Sequence, residues 1–253
     1  MHGKNKTICI AGKNQCAIDA LNFVNKNYKN YKIVSLPNHS DNGIDGWQKS
    51  FKKFSKSKKI KIINLKKLYD IKDLYFFSLE YEKIINVNKF MSKNLFNFHF
   101  SLLPAYRGCH TNFYQIFFGE KKSGVTLHKM NNGIDTGNII DNIVYKIGIN
   151  DTAYLNYQKL LKNSFKLFKN NIKNILNNNY ADKKQNKKLG SYFSRKSVDY
   201  NKIINIKELS HNLKTHNLIR SLIFPRFQLP IYNGRRIIKS VYKNKKIRLL
   251  FQR

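Results

Sequence analysis

The sequence predicts an α/β fold: an open twisted sheet with flanking helices, followed by a small C-terminal appendage of a helix and a β-hairpin. Three observations carry that prediction. The chain opens on a short β-branched run, a glycine turn and an amphipathic segment, at Thr7–Ala11, Gly12–Asn14 and Ala17–Val24. Short apolar runs then alternate with helix-like stretches as far as Leu176. Near the end, Asn233-Gly234 separates two apolar runs, the strongest short-range signal of a hairpin.

The elements follow in order. Thr7-Ile-Cys-Ile-Ala11 reads as a buried strand, with Cys9 in the core. In the next helix Ala17, Ala20, Leu21 and Val24 share one face. Further strands are expected at Lys32–Leu36, Lys61–Leu65, Tyr75–Leu79 and Leu95–Phe100, the last running into a Pro- and Gly-containing loop over Leu102–Gly108. Thr111–Phe118 reads as a helix closed by Gly119. Gly124–Lys129 and Ile139–Tyr145 complete the sheet, and Asp151–Leu176 is a long helix started by Asp151-Thr152. Asn177–Leu189 is polar and aperiodic, hence a linker between residues 1–176 and a small region at 190–253. That region carries a helix around Ile206–Ile223 and strands at Leu229–Tyr232 and Arg236–Val241.

Composition bounds the function. With 253 residues, 42% of them hydrophobic, the chain can bury one sizeable core and is not expected to be disordered. No apolar run reaches the roughly 18 residues of a membrane helix. Met1–Thr7 is basic, but the apolar run behind it, Ile8–Ala11, is too short for a signal peptide, so a cytoplasmic location is expected. Cys9, Cys16 and Cys109 form neither a disulfide framework nor a metal-ligand spacing, and no metal site is expected. Gly12-Lys-Asn-Gln-Cys-Ala17 has a single glycine and gives no support to a nicotinamide cofactor. The net charge of +34 would ordinarily point to nucleic acid. Lysine, however, travels with Asn, Ile, Tyr and Phe along the whole chain. Tracts such as Lys52–Lys61 and Lys183–Lys188 therefore read as solvated faces and linkers, and nucleic acid is not the expected partner.

One constellation carries chemistry. In Asn97-Phe-His99 the polar residues alternate, so both side chains face one side of the sheet near the strand's carboxyl end. Asn132-Gly133 and Thr136-Gly137 bracket Asp135 in a loop that can return a carboxylate to the imidazole. An amide N–H can hold a developing oxyanion, an imidazole can trade protons with an amine, and a carboxylate can orient the imidazole. Such a set suits acyl transfer without a covalent adduct, because Ser101 has no evident base of its own. On spacing alone, a strand histidine is usually a structural residue and an asparagine beside it usually a turn or cap residue.

The flanking residues add a resemblance. Asn97-Phe-His-Phe-Ser-Leu-Leu-Pro-Ala-Tyr-Arg-Gly108, followed by Gly124-Val-Thr-Leu-His and Ile-Asp135-Thr-Gly, is similar to the paired motifs of the formyltransferases that use N10-formyltetrahydrofolate. The likeness is dense over residues 74–145. It implies a Rossmann-like catalytic domain, N10-formyltetrahydrofolate as co-substrate, and Asn97, His99 and Asp135 as the catalytic residues. It further implies a pterin pocket lined by Asn131, Asn132, Gly133, Ile134 and Asp135, together with Lys83, Ile84 and Ile85, largely through backbone groups. Where the family commonly has a Pro-x-x-Trp pattern this chain has Thr111 and Tyr114, and its Cys109-His-Thr111 loop is unusual, which places Cys109 among the candidate acceptor-facing residues.

Three branches of that family differ in the amine they formylate. The purine-pathway branch has a Gly-rich first turn that is missing here. The methionyl-tRNA branch carries a full C-terminal barrel, for which about 65 residues after the linker are few. Ser78-Leu-Glu-Tyr81, Gly190-Ser-Tyr-Phe-Ser-Arg-Lys196 and Asn217-Leu-Ile-Arg220 resemble the sugar N-formyltransferases. That branch implies a dTDP-linked amino-dideoxy sugar as acceptor, with 4-amino-4,6-dideoxyglucose favoured, for O-antigen or other surface polysaccharide. Lys13 and Asn14, beside a helix N-terminus, would meet the diphosphate, and the tail would serve a homodimer. The alternatives are a methionyl-tRNA formyltransferase with a reduced C-terminal domain and, in a different class, a non-catalytic nucleic-acid-binding protein.

Overall fold

The computed structural model describes residues 6–225 and 227–252. Residues 1–5 of the basic N-terminal stretch, Arg226 and Arg253 lie outside the described residues. In chain order the elements are β1 (Thr7–Gly12), α1 (Asn14–Asn27), β2 (Lys32–Pro37), α2 (Phe51–Ser57), β3 (Lys61–Ile62), α3 (Lys66–Tyr69), β4 (Leu74–Leu79), β5 (Asn94–His99), β6 (Arg107–Gly108) and α4 (Thr111–Phe117). They continue with β7 (Lys122–Lys129), β8 (Ile139–Lys146), α5 (Ala153–Leu176), β9 (Tyr192–Phe193), α6 (Tyr200–Ile203), α7 (Leu213–Leu222), β10 (Ile231–Tyr232), β11 (Arg235–Lys243) and β12 (Lys246–Phe251). They build a seven-stranded sheet in the order β3-β2-β1-β4-β5-β7-β8, a three-stranded sheet β10-β11-β12 and the pair β6-β9.

Two compact units result. The first comprises Met1–His99, Val125–Ile143 and Leu161–Lys188. Its inner strands β1 and β4 are buried along their whole length, as their unbroken apolar runs require of strands covered on both faces. β1, β2, β3, β4 and β5 run parallel, and β7 returns antiparallel to β5. Where β1 and β4 end, the backbones approach so closely that a side chain on Gly12 would strike the Leu79 carbonyl. Phe168, fully buried on α5, packs against Phe23, Phe77 and Phe98. Phe168→Ala should lower the unfolding free energy by about 3–5 kcal/mol, read from urea titration. A loss under 1 kcal/mol would mean that this ring is not the keystone of the α5 face.

The second unit comprises Phe100–Gly124, Val144–Leu160 and Leu189–Arg253. Its core gathers Phe113 and Tyr114 of α4, Ile219 and Leu222 of α7, and Ile237 of β11. The helix expected over Ile206–Ile223 begins only at Leu213, capped by the Asn212 side chain. The preceding segment is extended instead, because Ile206 N donates to Ile231 O and Ile231 N donates to Ile204 O. The expected hairpin is present but gains a third strand. Asn233 and Gly234 both have positive φ, and so do Asn244 and Lys245, which make the second tight turn.

Candidate active site

All three residues expected to do chemistry lie in the first unit, and the fold brings them together. Asn97 and His99 end β5, and antiparallel pairing sets Asn97 opposite His128 and His99 opposite Thr126 on β7. Directly opposed residues of an antiparallel pair project to the same face, so the register delivers a second imidazole to the cluster. Asn97 Nδ2 lies 3.1 Å from His128 Nε2 and 3.2 Å from Asp135 Oδ1. His99 Nδ1 is 3.4 Å from Asp135 Oδ2, and His128 Nε2 is 3.5 Å from Asp135 Oδ1. His99, His128 and Asp135 side chains are only 8%, 3% and 12% exposed, so these contacts act at low effective dielectric.

Hydrogen bonding assigns the His128 tautomer. Its Nδ1 lies 2.8 Å from the Lys129 carbonyl, which can only accept. Nδ1 therefore carries a proton, and Nε2 is the ring nitrogen that faces the Asn97 amide. The sequence alone assigns His128 no role. Two signals bear on it: it closes the Gly124-Val-Thr-Leu-His segment, and on β7 it pairs with Asn97 of β5.

Asp135 sits at the tip of a tightly bound loop with φ of +53°, a left-handed conformation uncommon outside glycine that aspartate adopts more readily than most. Asn131 Oδ1 closes the loop by accepting from Gly133 N and Thr136 Oγ1 at 3.1 and 2.8 Å. Behind it, Gly137 lies so near the Lys129 carbonyl that any side chain would collide. Asn131, Asn132, Gly133 and Ile134 are exposed on this loop. Lys83 and Ile84 are also exposed, Ile84 at 80%, whereas Ile85 is buried in the core with Phe76 and Phe90.

The first turn lies at the carboxyl ends of β1 and β4, where the strand order reverses and open α/β sheets bind ligands. Lys13 starts α1 in extended conformation. Asn14 is 2% exposed, and its side chain accepts from Cys16 N and donates to Glu80 Oε2, so it is built into the turn itself. Cys109 belongs to the second unit, where its N–H donates to Phe193 O. Cys9 and Cys16 are fully buried, and burial pushes both thiols well above the ordinary range, which removes them as nucleophiles. Ser101 Oγ donates to the Ala105 carbonyl at 2.6 Å. The cluster thus offers amide donors, two imidazoles and one carboxylate, a set for proton transfer and for stabilising charge on an oxygen. Among the described residues no group of acidic, histidine or cysteine side chains could hold a metal ion, and no helix is long and apolar enough to cross a membrane.

Comparison with known proteins bears on this set. The formyl transferase family model matches residues 48–172. The sugar 3-N-formyltransferase WlaRD, solved in the presence of dTDP and 5-N-formyl-tetrahydrofolate, is 48% identical, with a TM-score of 0.90 over 96% of this chain and 88% of that one. An N-formyltransferase from Helicobacter canadensis, solved with folinic acid and dTDP-3-aminofucose, is 44% identical, with a TM-score of 0.87 over 93% of this chain and 87% of that one. The bifunctional polymyxin resistance protein ArnA of Wigglesworthia glossinidia brevipalpis is 34% identical over 160 residues, 62% of this chain and 24% of that protein. The chain spans only a quarter to a third of the length of the curated relatives it matches.

Proposed function

Because the chain belongs to the formyltransferase family, we propose that it moves a formyl group from N10-formyltetrahydrofolate to the amine of a dTDP-linked amino-dideoxy sugar. The observation that carries this reading is the cluster of Asn97, His99 and Asp135, drawn together at the end of β5. The two relatives of 48% and 44% identity bear on the acceptor: one is described as a 3-N-formyltransferase and the other was solved with dTDP-3-aminofucose. They favour a 3-amino sugar over the 4-amino-4,6-dideoxyglucose expected from sequence.

The co-substrate supplies the formyl carbon. Ile84 and Ile134, 80% and 39% exposed, offer apolar surface of the kind a flat pterin covers. The neighbouring exposed residues Asn131–Gly133 and Lys83 supply hydrogen-bonding groups. When the sugar amine attacks, negative charge develops on the formyl oxygen, and Asn97 Nδ2–H holds it. His99 takes the amine proton. Asp135, facing Nδ1, keeps the other nitrogen turned to the reaction and offsets the charge of the imidazolium. The new C–N bond forms, the bond to N10 breaks, and the proton passes to the departing nitrogen. Lys13, at the strand-order reversal, meets the diphosphate. A cytoplasmic homodimer acting in surface polysaccharide synthesis completes the proposal.

The charge of +34 favours a second reading, a tRNA acceptor, as does the 36% identity over 107 residues to a methionyl-tRNA formyltransferase. Mass spectrometry of reactions containing N10-formyltetrahydrofolate and either dTDP-3-amino sugars, dTDP-4-amino sugars or methionyl-tRNA separates them. We expect one formyl mass on a dTDP-3-amino sugar; a product on tRNA alone would overturn the sugar assignment.

A further inference from the structure

Asn177–Leu189 has the composition of a linker, yet part of it is bound to the backbone that presents Asp135. Lys183 and Ile139 exchange backbone hydrogen bonds at 2.8 Å in both directions, an antiparallel bridge just beyond the Asp135 loop. Asp182 accepts from the Asn138 amide at 2.8 Å. Gln185 then donates through Nε2 to two carbonyls, Asp135 O at 2.8 Å and Gly137 O at 2.7 Å. Both partners can only accept, so the side-chain amide has one permitted orientation, with nitrogen toward the loop. Its Oε1 is buried and has no hydrogen-bond partner. An orphaned buried acceptor is unfavourable. The fold tolerates it while keeping both N–H groups on the catalytic loop.

We infer that Gln185 is a positioning residue of the active site. By tying the carbonyls of Asp135 and Gly137 to one amide, it fixes the left-handed backbone at Asp135. It thereby sets the distances from that carboxylate to Asn97 and His99. Gln185 does not touch the reacting atoms and acts only through Asp135. Small displacements of an orienting carboxylate are costly, since a misplacement of about 1 Å can lower a rate about 10²-fold.

Two substitutions test this. Gln185→Glu keeps the shape but sets a carboxylate oxygen against two carbonyl oxygens. Gln185→Met keeps the bulk and removes the donors. Both should lower kcat, the glutamate by about 10²-fold and the methionine by less, with KM for the amino sugar changing less than about twofold. The ring 15N signals of His99 should move in both variants. In an Asp135→Asn background Gln185→Glu should cost far less, because its target is already lost. The inference rests on the formyl-transfer reading, and the ring spectra keep the two separable: they report on Gln185 whether or not a formyl product forms. The inference is overturned if His99 signals stay unmoved in both variants, or if Gln185→Glu costs the same with and without the Asp135→Asn substitution. A variant that melts early with a normal kcat also overturns it, leaving a purely structural role.

Discussion

His99→Asn is expected to reduce formyl transfer by about 10³–10⁴-fold, near the upper end of what a positioned acid–base group contributes. Asparagine retains a hydrogen-bond donor near the Nδ1 position and is shorter than the imidazole, so it burdens the packing little at a site 7% exposed. It has no lone pair that can take up an amine proton. Asp135 would then face an amide, and the imidazolium it is placed to stabilise could not form. Calorimetric binding of the sugar nucleotide should be unchanged within about threefold, since the lost interaction belongs to the transition state. A variant within tenfold of the wild-type kcat would remove His99 from proton transfer.

The second large effect is expected at Asn97. Removing one preorganised oxyanion donor costs about 10²–10³-fold in kcat, and Asn97→Ala should fall in that range with KM little altered. The geometry sharpens the expectation. Asn97 Nδ2 reaches both His128 Nε2 and Asp135 Oδ1, so the same nitrogen that would meet the oxyanion also ties two neighbours. His128→Ala removes one of those ties while leaving the amide in place. If Asn97 acts directly on the oxyanion, Asn97→Ala will be at least tenfold worse than His128→Ala. Equal losses would assign Asn97 to holding the cluster and leave the oxyanion to another donor.

Much of the fold was legible because its inner strands are continuous apolar runs. β1 and β4 are buried from end to end and read as strands from composition alone. Asn97 and His99 were legible as a pair because strand alternation has a period of two. His128 stands in the Gly124-Val-Thr-Leu-His segment, but its place beside Asn97 depends on a pairing register between segments about thirty residues apart, which local pattern does not encode. Gln185 was hidden by its surroundings: in an Asn- and Lys-rich stretch, one amide aimed at two carbonyls looks like any other polar residue. The strand β12 was missed because its turn, Asn244-Lys245, adopts positive φ without a glycine to announce it. The late start of α7 reflects competition, since the apolar residue Ile206 suits a helix face but pairs with Ile231 as extended chain.

The first unit is assembled from three separate stretches of chain, Met1–His99, Val125–Ile143 and Leu161–Lys188. During synthesis, Asn97, His99, His128 and Asp135 all leave the ribosome well before Leu161–Lys188 follows. The nascent chain therefore carries all four side chains of the proposed site for some time before it carries the amide proposed to hold their loop. For ribosomes adding about 5–20 residues per second, the fifty residues between Asp135 and Gln185 amount to several seconds. On that proposal, a ribosome that stops between Asp135 and Gln185 releases a chain with the side chains of the cluster but without the amide that holds their loop.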